Sequence, residues 1–195
     1  MSSKSNRFSE LLKIKSIKKG GEITHTRIGD KNLSIFGGSY FISDNDYDNF
    51  MDQYFKHVFN NGNKEYLTEK QLIEDGPIMI DIDLRYENTI TEKQHTSDHI
   101  LDAIVLYLDK CSEILNITKN IPIQVYVMEK NNVNILEDKT KDGIHIIIGI
   151  KMHKAGQIIL RNMVLSEIKD IWDDLPITNT WEDVLDEGVT KGHVN

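Results

Sequence analysis

The chain has 195 residues, with 23 Lys and Arg against 31 Asp and Glu, a formal charge of −8 at pH 7 and a sequence pI near 5.3. With 39% hydrophobic and 28% charged residues it can build one large domain or two joined modules, which excludes a disordered tail. No run approaches the ~18 consecutive apolar residues of a membrane span. The stretch Met1 to Lys19 lacks the apolar core of a secretory signal, and the single cysteine, Cys111, excludes an intrachain disulfide and a zinc ribbon. A soluble intracellular protein is expected. The acidic balance also argues against a broad basic face for nucleic acid, because each phosphate contact draws on Lys or Arg.

The charge is uneven. Lys4, Arg7, Lys13, Lys15, Lys18 and Lys19 face only Glu10 in the first 20 positions, a local +5 that leaves −13 for the rest. Phe8, Leu11 and Leu12 recur at i, i+3, i+4 and predict a short amphipathic helix ending before Gly20-Gly21. Its lysines read as a solvated face, with a nucleic-acid contact as the alternative. Glu22 to Ile28 and Leu33 to Ile42 are rich in β-branched and aromatic residues around the turn pair Gly29-Asp30, so a strand pair is predicted. Ser43 to Asn60 reads as a helix with Phe50, Tyr54, Phe55 and Val58 on one stripe and Asp44, Asp46 and Asp48 near its N-terminus, where the macrodipole favours them. The loop up to Gly76-Pro77 is the expected internal boundary, giving an N-terminal α/β module at 1–75 and a second module at 76–195.

In the second module, Pro77 to Arg85 predicts a strand, Ser97 to Leu115 a helix, Ile121 to Glu129 and Gly143 to Ile150 two more strands, Ala155 to Trp172 a helix, and Trp181 to Glu187 a short fourth strand. The order β-α-β-β-α-β is that of the ferredoxin-like unit, with the first and third strands side by side, the fourth flanking the first and both helices on one face. The expected fold class is α+β, an N-terminal α/β module packed on a ferredoxin-like, RRM-like catalytic module.

Strand alternation places Asp81 and Asp83 on one face and Ile80, Ile82 and Leu84 on the other. The bland reading is a solvent-facing edge strand, but the apolar flanks mark a central strand, where adjacent carboxylates repel unless a cation neutralises them. Lys141, Gly143 and His145 fall on one side of the third strand, opposite Ile144, Ile146 and Ile148. With the first and third strands adjacent, His145 and Lys141 face the aspartates, and Gly143 leaves room for a ligand. Asp186 is the preferred third carboxylate, with Asp183 and Glu187 as alternatives in an Asp170 to Thr190 run that has seven acids and no Lys or Arg. An RNA-recognition domain is disfavoured, since its base-stacking positions hold Asp and His here. A carboxylate-and-metal site holding a triphosphate, with Lys141 as phosphate counter-charge, fits better.

Asp81-Ile82-Asp83, Lys141-Asp142-Gly143-Ile144-His145 and Leu185-Asp186 together resemble the three-motif signature of archaeo-eukaryotic primases. The segments THTRIGD, FGGSYFI, YLTEKQ, PIMIDIDLRY, KDGIHIIIG and DEGVTKGHVN resemble the N-terminal primase domain of poxvirus- and giant-virus-type primase-helicases. The resemblance implies a primase or primase-polymerase core with its active site between the two modules. Asp81, Asp83 and Asp186 would then coordinate Mg²⁺ or Mn²⁺ in a two-metal site, and His145 and Lys141 would contact the phosphates of the incoming nucleotide. Gly143 stands where relatives often have Ser, and Arg27, beside His25, would add a cation or a template contact. Implied partners are a single-stranded DNA template, nucleoside triphosphates and a downstream helicase module of the same chain, with no membrane. The implied location is a viral replication site in the host cytoplasm or nucleus. The closing segment DEGVTKGHVN ends mid-motif, as a fragment would, and such a fragment would be weakly active or inactive alone. Two other classes compete: a catalytically silent nucleic-acid-binding or replisome-assembly module, and another split-βαβ metal enzyme such as a nucleotidyl cyclase or rolling-circle nuclease. The nuclease lacks its His-hydrophobic-His strand.

Overall fold

A computed structural model describes residues 7–18, 20–70, 75–117 and 121–191. Lys4 and Lys19 of the basic head, and residues 192–195 of the closing segment, lie outside them. The chain is α+β and divides into two units, Met1–Lys70 and Gln71–Asn195.

In the first unit, α1 (Arg7–Ile14) buries Phe8 and Leu12, as the i, i+4 spacing requires. Strands β1 (His25–Arg27), β2 (Gly38–Tyr40) and β3 (Leu67–Glu69) form an antiparallel sheet in the order β2-β1-β3. The paired segments are shorter than predicted because Asp30 Oδ1 accepts the Asn32 and Leu33 N–H groups at 2.9 and 3.3 Å and diverts the chain into a turn. Where the hairpin arms meet, a Cβ on Gly29 would lie 3.0 Å from the Gly37 nitrogen, so both arms need glycine. Helix α2 (Asp44–Phe55) runs into a π-helical turn, Lys56–Asn60. The wider turn changes the phase of the predicted stripe. Phe50 is buried as expected, but Phe55 is exposed, and His57 turns inward to stack on Phe8 at 4.8 Å.

The second unit opens on β4 (Asp75–Tyr86), followed by α3 (Ser97–Ile114), β5 (Val125–Glu129), β6 (Asn134–Ile135), β7 (Thr140–His153), α4 (Lys154–Leu165) and α5 (Ile168–Ile171). The short helices α6 (Trp181–Val184) and α7 (Gly188–Lys191) follow. The strand order is β4-β7-β5, with β6 on β7, all antiparallel. First and third major strands are therefore neighbours, as the β-α-β-β-α order predicts. Ile78, Ile80 and Ile82 lie directly opposite Ile148, Ile146 and Ile144. These six isoleucines join Ala103 and Cys111 of α3 and Leu160 and Val164 of α4 in one core. Burying such side chains is worth about 1.5–3 kcal/mol each and clamps the β4–β7 register. A register shift between Pro77 and Ile78 frees backbone groups that the buried Gln157 amide recovers, donating to the Pro77 and Met152 carbonyls at 3.1 and 3.0 Å. Helix α3 starts at Thr96, whose side chain and that of His99 cap each other's backbone.

The predicted fourth strand is corrected. Thr180 caps a helical turn at Trp181–Val184, accepting the Asp183 N–H at 3.2 Å, with Glu182 and Asp183 in its first turn. Of the predicted strand, among the described residues, Leu185 alone pairs with β4, in a single antiparallel bridge to Ile82. The rest of that β4 edge is satisfied piecemeal. Thr178 N–H donates to the Arg85 carbonyl at 2.8 Å, and the Asn179 side chain accepts from Arg85 N–H and donates to the Asp83 carbonyl, both at 3.0 Å. One side-chain amide thus substitutes for a strand's peptide group. The predicted Ala155 to Trp172 helix is likewise broken, into α4 and α5. No helix among the described residues is long and apolar enough to cross a membrane.

Candidate active site

Strand pairing in the second unit arranges six residues as a grid on the sheet face opposite α3 and α4. Asp81, Asp83 and Arg85 alternate along β4, and His145, Gly143 and Lys141 of β7 stand directly across from them. Asp81 Oδ1 lies 3.0 Å from His145 Nδ1, with the Asp81 side chain 18% exposed and that of His145 58% exposed. Beside Asp83, Gly143 keeps space open. A Cβ at that position would sit 3.8 Å from Asp83 Oδ1 and 3.4 Å from the Ile82 carbonyl, ordinary contact that a small side chain satisfies.

Asp186 reaches the same place through its main chain. Its N–H donates to the Asp81 carbonyl at 3.0 Å, one residue beyond the Leu185–Ile82 bridge, and its Oδ1 accepts the Gly188 N–H at 2.8 Å. Asp183 sits in the α6 turn instead, 3.8 Å from Arg85 Nη1. The electrostatics agree with this gathering of acids. Burial pushes the Asp81 carboxyl above its ordinary value, the charges of Asp83 and Asp186 push it further, and His145 opposes them. The three carboxylates supply only hard oxygen donors, the set that suits Mg²⁺ or Mn²⁺. Among the described residues no three His, Cys, Asp or Glu side chains already form a ligand shell. Asp81 is turned toward His145 and Asp186 toward Gly188.

The model of the C962R protein N-terminal AEP domain, a domain of archaeo-eukaryotic primase type, matches residues 30–194. The chain belongs to this family. It is also 29% identical over 155 residues to the "Putative helicase L207/L206" of Acanthamoeba polyphaga mimivirus, a match that covers 78% of this chain. The chain spans 16% of that relative's length.

Two depressions flank Asp83 in this AEP domain. One, of about 350 Å³, is lined by Lys130, Lys141, Gly143, His145 and Met128 among others. The other, of about 500 Å³, is lined by Arg85, Asp183, Asp186 and Glu187 among others. The first mixes Lys130, Lys141 and His145 with the acids Asp83, Glu129 and Asp142, whereas the second sets five carboxylates against Arg85 and Arg161.

Supporting residues absent from the sequence reading complete the site. Arg161 of α4, only 6% exposed, donates from Nε to the Leu185 carbonyl at 2.8 Å and from Nη2 to the Glu182 carbonyl at 2.9 Å. It thereby ties down the chain that carries Asp186. On the helix-covered side of β7, the fully buried Asp142 carboxylate lies 3.1 Å from His95 Nδ1 and accepts the Gly143 N–H at 2.9 Å. His95 Nε2 in turn meets Glu129 at 2.9 Å, and Lys93 meets Glu129 at 2.6 Å. This chain of polar contacts backs the Lys141 to His145 segment from behind. Arg85, not among the residues predicted above, was findable, because it continues the Asp81, Asp83 alternation by one step. Arg161 was not, because a helix position reveals nothing about which carbonyls it meets.

Arg27 belongs to the first unit, where its Nε and Nη2 hold both oxygens of the buried Glu65 carboxylate at 2.7 Å. Its neighbour His25 is buried against Phe50, and that burial lowers the pKa of its imidazole. Within its unit the Arg27 guanidinium is therefore committed to an internal ion pair.

Proposed function

We propose that this domain is the catalytic primase module of a larger viral primase-helicase, extending primers on single-stranded DNA by template-directed nucleotidyl transfer. The observation that carries the reading is the convergence of Asp81, Asp83 and Asp186, with His145 facing Asp81, in a chain of the AEP family. Asp81, Asp83 and Asp186 are the residues to hold Mg²⁺ or Mn²⁺. Such ions, when bound, supply acidification of an attacking 3′-hydroxyl and neutralisation of triphosphate charge. His145 and Lys141, which border the depression of about 350 Å³, bind the nucleotide's phosphates in this reading, with Gly143 admitting them close to the backbone. Arg27 is left out of the nucleotide contacts because Glu65 already satisfies it.

The experiment is primer synthesis by the full-length protein on single-stranded DNA with Mn²⁺ or Mg²⁺. Asp81→Ala with Asp83→Ala should abolish synthesis while leaving the protein folded, and synthesis retained by the folded double variant overturns the assignment. A second reading, a catalytically silent replisome module, is favoured by one observation: the Asp81 and Asp186 carboxylates are engaged within the protein. Divalent metal with nucleotide should raise Tm by linkage if the site binds them. No shift at millimolar Mn²⁺ with nucleotide selects the silent module.

A further inference from the structure

Arg85 has no role in the proposal above, yet it is the cation nearest in sequence to the aspartates and on their face of β4. Its surroundings are unusual in three respects. Its Nε is buried and has no hydrogen-bond partner among the described residues. Its one ion pair among them, Nη1 to Asp183, spans 3.8 Å, too long for a hydrogen bond, and its partner is 52% exposed. Directly across the strands stands Lys141, so Arg85 has a like charge as its cross-strand neighbour and draws no compensation from that side. A buried guanidinium nitrogen without a partner costs free energy that an incoming acceptor recovers, and the planar fork suits a phosphate with two oxygens presented together. Arg85 also lines the depression of about 500 Å³ that Asp83 and Asp186 share, on the other side of Asp83 from Lys141 and His145.

We propose that Arg85 is a phosphate-binding residue, with Asp183 as its resting partner, and that it takes a phosphate bound beside Asp83 and Asp186. This rests on the primase reading of the same sheet face. The phosphate belongs to the nucleic-acid strand being extended or to the nucleoside triphosphate, and two binding measurements separate these sources. In the primase reading Lys141 and His145 of the smaller depression take the triphosphate, which leaves the strand's phosphodiester for Arg85.

The test measures affinity of the full-length protein for a nucleoside triphosphate with Mn²⁺ and, separately, for a short single-stranded oligonucleotide with Mn²⁺. R85Q should weaken one of the two by about tenfold, the scale of a charge-assisted bidentate contact, and R85K should recover part of the loss. A loss confined to the oligonucleotide identifies the strand, and a loss confined to the triphosphate identifies the nucleotide. D183N removes the competing carboxylate and should tighten binding of the same ligand, which decides the matter if R85Q does not fold. Wild-type affinity for both ligands in folded R85Q, or unchanged or weaker binding of both in D183N, overturns the assignment. Wild-type protein that binds neither ligand overturns the primase reading and this assignment with it. Binding by wild type that R85Q leaves untouched overturns this assignment alone.

Discussion

Asp81 and His145 meet across the edge strand β4 and its neighbour β7, Oδ1 to Nδ1 at 3.0 Å, as directly opposed members of a register in which Ile80 faces Ile146 and Ile82 faces Ile144. The apolar pairs on one face lock the polar pair on the other, since a slip of one residue would exchange the two faces. The contact therefore depends on the core behind it. It also leaves His145 largely exposed, with its second ring nitrogen free to turn toward a ligand in the adjoining depression.

The raised proton affinity of Asp81 makes a prediction about stability. Burial, Asp83 and Asp186 hold its folded pKa above the unfolded value of about 3.9. Below that unfolded value both states are protonated and the group is neutral in its effect. As pH rises, the unfolded carboxyl ionises first, so stability falls until the folded pKa is passed and stays lower above it. Asp81→Asn removes this penalty. Its Tm at pH 7 should exceed that of wild type by a few degrees, and the difference should shrink toward pH 4. Equal melting temperatures at pH 7 would count against mutual repulsion among the three acids.

Arg161 should matter to the site without touching it. Replacing it with Leu leaves the Leu185 and Glu182 carbonyls without their buried donor, which should cost about 2–4 kcal/mol. Because those carbonyls lie on the segment that leads into Asp186, the folded variant should also lose most of the Tm increase that Mn²⁺ with nucleotide produces in wild type. Arg161→Lys should restore stability in part but not the metal response, since one ammonium does not reproduce the fork that spans both carbonyls. A full metal response in folded Arg161→Leu would show that Asp186 needs no such tether.

Gly143→Ser is expected to be well tolerated. Its Cβ meets nothing closer than 3.4 Å, and a side chain in a strand interior removes the entropic cost of glycine, so stability should stay within about 1 kcal/mol of wild type. The added hydroxyl faces the depression shared with Lys141 and His145 and should tighten nucleotide binding roughly two- to tenfold. Titration of nucleotide into both proteins measures this directly. Weaker binding by the serine variant would mean that the phosphates approach the backbone more closely than a side chain allows.

Much of this molecule was legible in its sequence, for reasons that particular residues make clear. Alternation in Ile80 to Leu84 and Lys141 to Ile148 reports which side chains share a face, because a strand's period of two leaves no choice once one face is apolar. The order of elements then made the two strands neighbours, which brought Asp81 opposite His145 and Asp83 opposite Gly143. At Trp181 to Glu187 the sequence predicts a strand where a helical turn, Trp181–Val184, forms instead. Its Thr180 cap and the acids that follow were present in the sequence, yet the short apolar pattern outweighed them.

Sequence alone therefore determined the α+β class, the core face of each long strand, and the acidic and basic residues that share the opposite face. These follow from periodicity, which is local. Tertiary structure alone decided that Asp186 rather than Asp183 joins Asp81, that Arg161 holds it there, that Glu65 claims Arg27, and that Arg85 Nε has no partner among the described residues. Each of these depends on which groups meet across long stretches of chain. Hydrogen bonds and ion pairs are short-ranged and directional, so displacements of about an ångström decide them, and no spacing along the sequence encodes such distances.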